Sequence, residues 1–171
     1  MSGCEVPRPR CGHSQDRAVV GGFPVHVRSP RTGVFAAYFD GTPERVGRIR
    51  TWCARATGLD QQASALVELA VSELVTNAVV HTASGGRYGR VKVTAEVMPG
   101  QIVLISVTDD GPRALRPITV PTLPDHVDDA EPSGRGLRLV AALSEKWWWT
   151  GHRGGPLTVW ALIDPRRDLD A

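Results

Sequence analysis

Glu73, Asn77 and His81 recur every four residues in the run 73–81, Glu-Leu-Val-Thr-Asn-Ala-Val-Val-His. In a helix that spacing sets them along one polar stripe. Val71, Leu74, Val75, Ala78 and Val79 supply a wide apolar face around it. A carboxylate and a carboxamide on an otherwise buried helix are costly to place without partners. Their chemistry is specific: the carboxylate can take a proton, and the amide oxygen is a hard ligand suited to Mg²⁺. Taken alone, three polar residues on an amphipathic helix more often mark a solvated face. His81, at the end of the stripe, reads as a C-terminal helix residue favoured by the helix dipole, not as a catalyst.

Two later sites change the weight of that stripe. Asp109-Asp110-Gly111-Pro112 follows an apolar run, and Gly134-Arg135-Gly136-Leu137 precedes another. A carboxylate at a strand end can accept a hydrogen bond from the amino group of an adenine. The glycine two residues on lets the backbone approach the base with no Cβ in the way. A glycine-rich entry into a helix offers free N–H groups and the positive end of the dipole to phosphates. Asp-x-Gly alone is more often a turn, and Gly-x-Gly alone more often a plain helix entry. The three in this order point together to a nucleotide.

The elements that would hold these groups are legible as well. Residues 34–39 read as a strand broken by Asp40-Gly41. Thr42-Pro43-Glu44 opens a helix, with Thr as cap and Pro in the first turn, that stops near Gly58. Asp60 caps a second helix of about 20 residues that carries the stripe and ends before Gly85-Gly86. Strands are expected over 89–97 and 102–108 around a Pro99-Gly100 turn. Residues 112–133 hold five prolines and no period, and loops beyond about 12–15 residues in a compact domain usually act as lids. A short helix from Gly134 to about Lys146 and strands around a turn at 151–156 complete the chain. The triple tryptophan 147–149 reads as strand packing, with Trp148 opposite its neighbours. Paired strands on tight turns imply a mostly antiparallel mixed sheet with helices on one face: an α+β two-layer sandwich.

Composition bounds the function. The chain of 171 residues suits one domain over 32–165, with a disordered basic leader or loosely attached strand over 1–31 and a short tail at 166–171. The net charge of +2 divides into +3 for residues 1–31 and −1 for the rest, which argues against direct nucleic-acid binding. No apolar run approaches the roughly 20 residues of a membrane span, and residues 1–30 lack the apolar core of a signal peptide. A cytoplasmic protein is expected. Three cysteines argue against a disulfide framework, and Cys4, Cys11 and His13 match no tight Cys-x₂₋₄-Cys metal pattern.

The ordered set resembles the GHKL ATPase superfamily, with 73–81 similar to its N box, 109–111 to its G1 box and 134–137 to its G2 box. The resemblance extends over about 34–163 and implies the Bergerat-type ATP-binding fold, with 112–133 as the ATP lid. Within that superfamily the N box, with Thr82 after His81, and the Gly-Arg-Gly-Leu motif look most like small bacterial anti-sigma factor serine/threonine kinases of the stand-alone actinobacterial type. By that resemblance Asn77 would hold Mg²⁺ through the ATP phosphates. Glu73 would be the general base for a partner serine or a water. Asp109 and Gly111 would bind adenine, and Gly134, Arg135, Gly136, Leu137 and Thr158 would complete the ATP site. Arg138 departs from the small residue common at its place; it could clamp a phosphate or reach solvent from the first helical turn, and solvent is the favoured reading.

Two functions follow. One is an ATP- and Mg²⁺-dependent protein kinase that acts on a small anti-sigma antagonist and sequesters a sigma factor, with a homodimer possible because its relatives often dimerise. The other is a non-catalytic ATP-binding adaptor whose lid state controls a protein partner. A sensor histidine kinase is disfavoured because the five histidines precede Ser, Val, Thr, Val and Arg, not the acidic residue typical of a phosphoacceptor. A dinucleotide fold is disfavoured by the lack of Gly-x-Gly-x-x-Gly after a first strand.

Overall fold

The computed structural model describes residues 24–123 and 135–167. Its strands are β1 (Val25–Val27), β2 (Val34–Asp40), β3 (Arg90–Val97), β4 (Val103–Thr108), β5 (Lys146–Gly151) and β6 (Leu157–Ile163). Its helices are α1 (Val46–Thr57), α2 (Gln61–His81) and α3 (Arg135–Leu143). The strands form one sheet in the order β1-β2-β3-β4-β6-β5, and every pairing is antiparallel. The helices pack on one face of it, giving the expected α+β sandwich.

The core explains the arrangement. Val67, Ala70, Val71, Leu74, Val75, Ala78 and Val79 of α2 are buried together with Val93, Ala95, Ile105, Ala161 and Ile163 of the sheet. Burial is worth roughly 1.5–3 kcal/mol for each large aliphatic side chain. By length and composition α2 could pass for a membrane span, but it spends its apolar face on this core. Asp60 starts it as read from the sequence, its carboxylate accepting the Ala63 N–H at 2.8 Å.

Period two along β5 sends Trp147 towards the core, while Trp148 stacks on Trp160 at 5.9 Å and 3° on the other face.

Several boundaries differ from the sequence reading. Of the two readings of the N-terminal segment, leader or attached strand, residues 25–27 take the second: Val25–Val27 pairs with Val27↔Ala36 to Val25↔Tyr38 as the edge of the sheet. A 3₁₀ turn over Pro43–Arg45 precedes α1, and Thr42 makes no side-chain cap there. The last helix stops at Leu143, three residues short of Lys146, because β5 begins at Lys146. Of the expected lid, 112–123 is described and 124–133 lies outside the described residues. So do Cys4, Cys11, His13 and Gly134.

Candidate nucleotide site

The sheet and α2 enclose a cleft of about 160 Å³. Val107 of β4 and Leu157 and Val159 of β6 form its floor, and Leu74, Asn77, Ala78 and His81 of α2 form one wall. Thr119, Val120, Pro121 and Thr122 from the expected lid segment close another side, and Leu137 of α3 lies at one end. Drug-sized pockets run to roughly 300–1,000 Å³, so this enclosed space suits a heterocycle more than a whole nucleotide.

Asp109 stands at the end of β4 and lines the cleft. Its Oδ1 accepts the Gly111 N–H at 2.6 Å and the Leu157 N–H at 3.1 Å. Among the described residues its Oδ2 has no partner, which leaves one acceptor for a ligand. Burial raises the carboxyl above its ordinary range; the Leu157 and Gly111 N–H bonds act against that rise, and Asp110 adds to it. Gly111 has a φ of +85°, and a Cβ there would meet the Gly155 carbonyl carbon at 3.0 Å. Glycine is therefore needed both for the turn and for its packing on the β5–β6 connection.

At the other end, α3 begins against the stripe on α2. A Cβ on Gly136 would lie 2.6 Å from Glu73 Oε2 and 3.5 Å from both amide atoms of Asn77. The first turn of α3, with its N–H groups and positive dipole end, thus rests directly on the two polar residues. Asn77 Nδ2 is buried with no hydrogen-bond partner, a state that costs about 1–3 kcal/mol. Turning that amide by 180° presents either a donor to a phosphate oxygen or an acceptor to a cation. Glu73 is half-buried and has no hydrogen bond or ion pair among the described residues.

These features fit Mg–ATP: an orphaned amide, an unpartnered carboxylate and a glycine cradle at a helix start. Asn77 would meet a Mg²⁺ whose other ligands are phosphates and water, as Mg²⁺ commonly takes them; among the described residues no group of three or more His, Cys, Asp or Glu is placed to hold a metal ion.

Of the sequence-derived residues, Asn77, Asp109 and Leu137 line the cleft; Gly136 and Glu73 adjoin Asn77 where α3 begins, and Gly111 is bound to Asp109 through its N–H. Arg135 is exposed at the start of α3, and Arg138 is half-buried one turn on. Thr158 does not join them. Leu157 and Val159 face the cleft, so the alternation of β6 puts Thr158 on the opposite face, where its hydroxyl lies 2.8 Å from that of Thr108. Residues 119–122 of the expected lid do close the cleft, whereas sequence reading missed Thr82 as a cleft wall and undervalued His81, which is exposed at the cleft edge. Only the position of His81 one turn beyond Asn77 could have placed it there.

The fold and site define a nucleotide-binding α+β domain, and sequence comparison gives its family. Residues 39–160 match the histidine kinase-like ATPase domain. The chain belongs to that family, whose membership implies ATP binding, typically with Mg²⁺. Among solved structures it is similar to the histidine kinase domain from Erythrobacter litoralis EL346 blue-light activated histidine kinase, with 25% identity and a TM-score of 0.41. That similarity covers 71% of this chain and 59% of the other. No curated protein matches the sequence.

Proposed function

We propose that the chain is an ATP-dependent serine/threonine protein kinase and anti-sigma factor that acts in the cytoplasm on a small anti-sigma antagonist. The observation that carries this reading is the unpartnered Glu73 carboxylate set against the first turn of α3 beside Asn77. That is where a transferable phosphate would lie if a base occupied the Asp109 end. The likeness of 73–82 to the N box of anti-sigma kinases supports the choice of acceptor.

Mg–ATP, when bound, supplies the phosphoryl group and ADP as its leaving group. The chain contributes positioning and electrostatics, the main levers of phosphoryl transfer. Asp109 Oδ2 accepts from an adenine amino group, and Leu157 and Val159 pack under the ring. The α3 N–H groups and the Asn77 amide would hold the phosphate end and a Mg²⁺ bound to it. Glu73 accepts the proton of an incoming serine hydroxyl as that oxygen bonds to phosphorus.

A second reading is the non-catalytic adaptor. It is favoured by Leu115 and Ile118, apolar residues of the expected lid that are 106% and 57% exposed and offer a partner something to read without any chemistry. Labelled ATP and candidate antagonists separate the two readings. Transfer of label to a serine, lost in Glu73→Ala, supports the kinase; binding without transfer to any candidate leaves the adaptor, and transfer undiminished in Glu73→Ala removes Glu73 from its role.

A further inference from the structure

We propose that Arg113 is a positioning residue for the nucleotide site. It straps the base-binding loop to the last turn of α2 and so sets the distance between Asp109 and Asn77. The inference rests on the ATP-binding reading and deepens it.

The connection is reciprocal. In an uninterrupted helix the Ala83 N–H would serve the Val79 carbonyl. Here it turns instead to the Gly111 carbonyl of the base-binding loop, at 2.8 Å, and Thr82 forms a β-bridge with Pro112. The orphaned Val79 carbonyl is taken by Arg113 Nη2 at 2.9 Å, and the Thr82 carbonyl by Arg113 Nε at 2.8 Å. The loop thus removes one donor from the helix end and returns two from a cation, where the negative end of the helix dipole favours one.

Space for the guanidinium is specific. A Cβ on Gly85 would stand 2.0 Å from the Val79 carbonyl oxygen and 2.6 Å from Arg113 Nη2. Arg113 follows Asp109 by four residues, and Val79 follows Asn77 by two. The strap therefore joins the segment that ends in the base-binding carboxylate to the one that carries the phosphate-facing amide. Two other links, Ala83 N–H to Gly111 and Asp110 N–H to Ser84 Oγ at 2.9 Å, stay when the side chain is lost. Removing Arg113 should loosen the spacing while the loop remains attached.

The test compares Arg113→Gln and Arg113→Lys with wild type. Calorimetry gives the Kd for Mg–ATP, NMR the Kd for adenosine, and hydrogen exchange the protection of the Thr82 and Ala83 amides. Adenosine uses only the Asp109 end, so its affinity should stay within about twofold. Mg–ATP must span both ends, so its Kd should rise about tenfold in Arg113→Gln. Lysine lacks the planar fork and restores one hydrogen bond at most, for a rise of about threefold. Exchange at Thr82 and Ala83 should quicken in the glutamine variant. Equal losses for adenosine and Mg–ATP, or an unchanged Mg–ATP Kd, would overturn the positioning role. If wild type itself binds no Mg–ATP, the ATP reading fails, and unchanged exchange in Arg113→Gln then removes the strap as well.

Discussion

Adding a single methyl group at Gly136 should separate the stability of this domain from its chemistry. Alanine is a better helix former than glycine by about 0.5–1 kcal/mol in a helix interior, and Gly136 lies in the first turn of α3, with no positive φ to forbid a side chain. The new Cβ would stand 2.6 Å from Glu73 Oε2, where nothing comes closer than about 3.4 Å without strain, yet only 3.5 Å from the Asn77 amide. The carboxylate is the flexible end of a side chain with no partner among the described residues, so it swings away at little cost to folding. The melting temperature should therefore hold or rise by up to about 2–4 °C. ATP affinity should change by less than about fivefold, because the amide contact remains an ordinary one. Displacing the proposed base by about 1 Å can cost a hundredfold in rate, so phosphoryl transfer should fall by about that factor. Differential scanning calorimetry, ATP titration and labelled-phosphate transfer on Gly136→Ala make the comparison. Full transfer activity in this variant would refute the placement of Glu73 against α3.

Other expectations follow from the same geometry. The carboxyl of Asp109 is raised by burial, so on acidification it protonates sooner than the unfolded chain's, and its contribution to stability is present at acid pH and lost as pH rises through the folded value. Nucleotide binding has the opposite slope: affinity should fall as the carboxylate protonates, at higher pH than an ordinary aspartate would give, and Asp109→Asn should flatten that profile in calorimetric titrations. Thr158→Val should leave ATP affinity unchanged and lower stability by about 0.5–1.5 kcal/mol in urea unfolding, because its hydroxyl serves Thr108 and not the cleft. Cys53 is fully buried with its thiol pushed up by desolvation, so mass spectrometry should find it unlabelled by iodoacetamide until the chain is unfolded.

What could be read from the sequence depended on how local the signal was. The long helix α2 was legible from Asp60 and the 3.6-residue apolar pattern, and both later hairpins from their turns and alternation. The Glu73, Asn77, Asp109, Gly111 and Gly136 constellation was legible because each residue sits at the end or on the face of such an element. The bounds of β1, read only as leader or attached strand, were obscured because three residues, Val-His-Val, gain their strand form only by pairing with β2. Thr158 was misplaced by one step of parity: in a strand a single position decides between the cleft and the far face. Arg113 carried no local signal, since its partners on α2 and at the C-cap of that helix lie 34 and 31 residues away and the need for it arises only when Gly111 draws off the Ala83 amide.

Asp109 and Asn77 should mark two ends of one Mg–ATP site. Titration of ATP with and without Mg²⁺ on wild type and Asp109→Asn tests it most directly. Wild type should bind saturably and more tightly with Mg²⁺, and the variant should show a Kd at least about tenfold weaker with its melting temperature nearly unchanged. Wild type that binds no ATP, or an Asp109→Asn variant that binds it as tightly, would contradict the site.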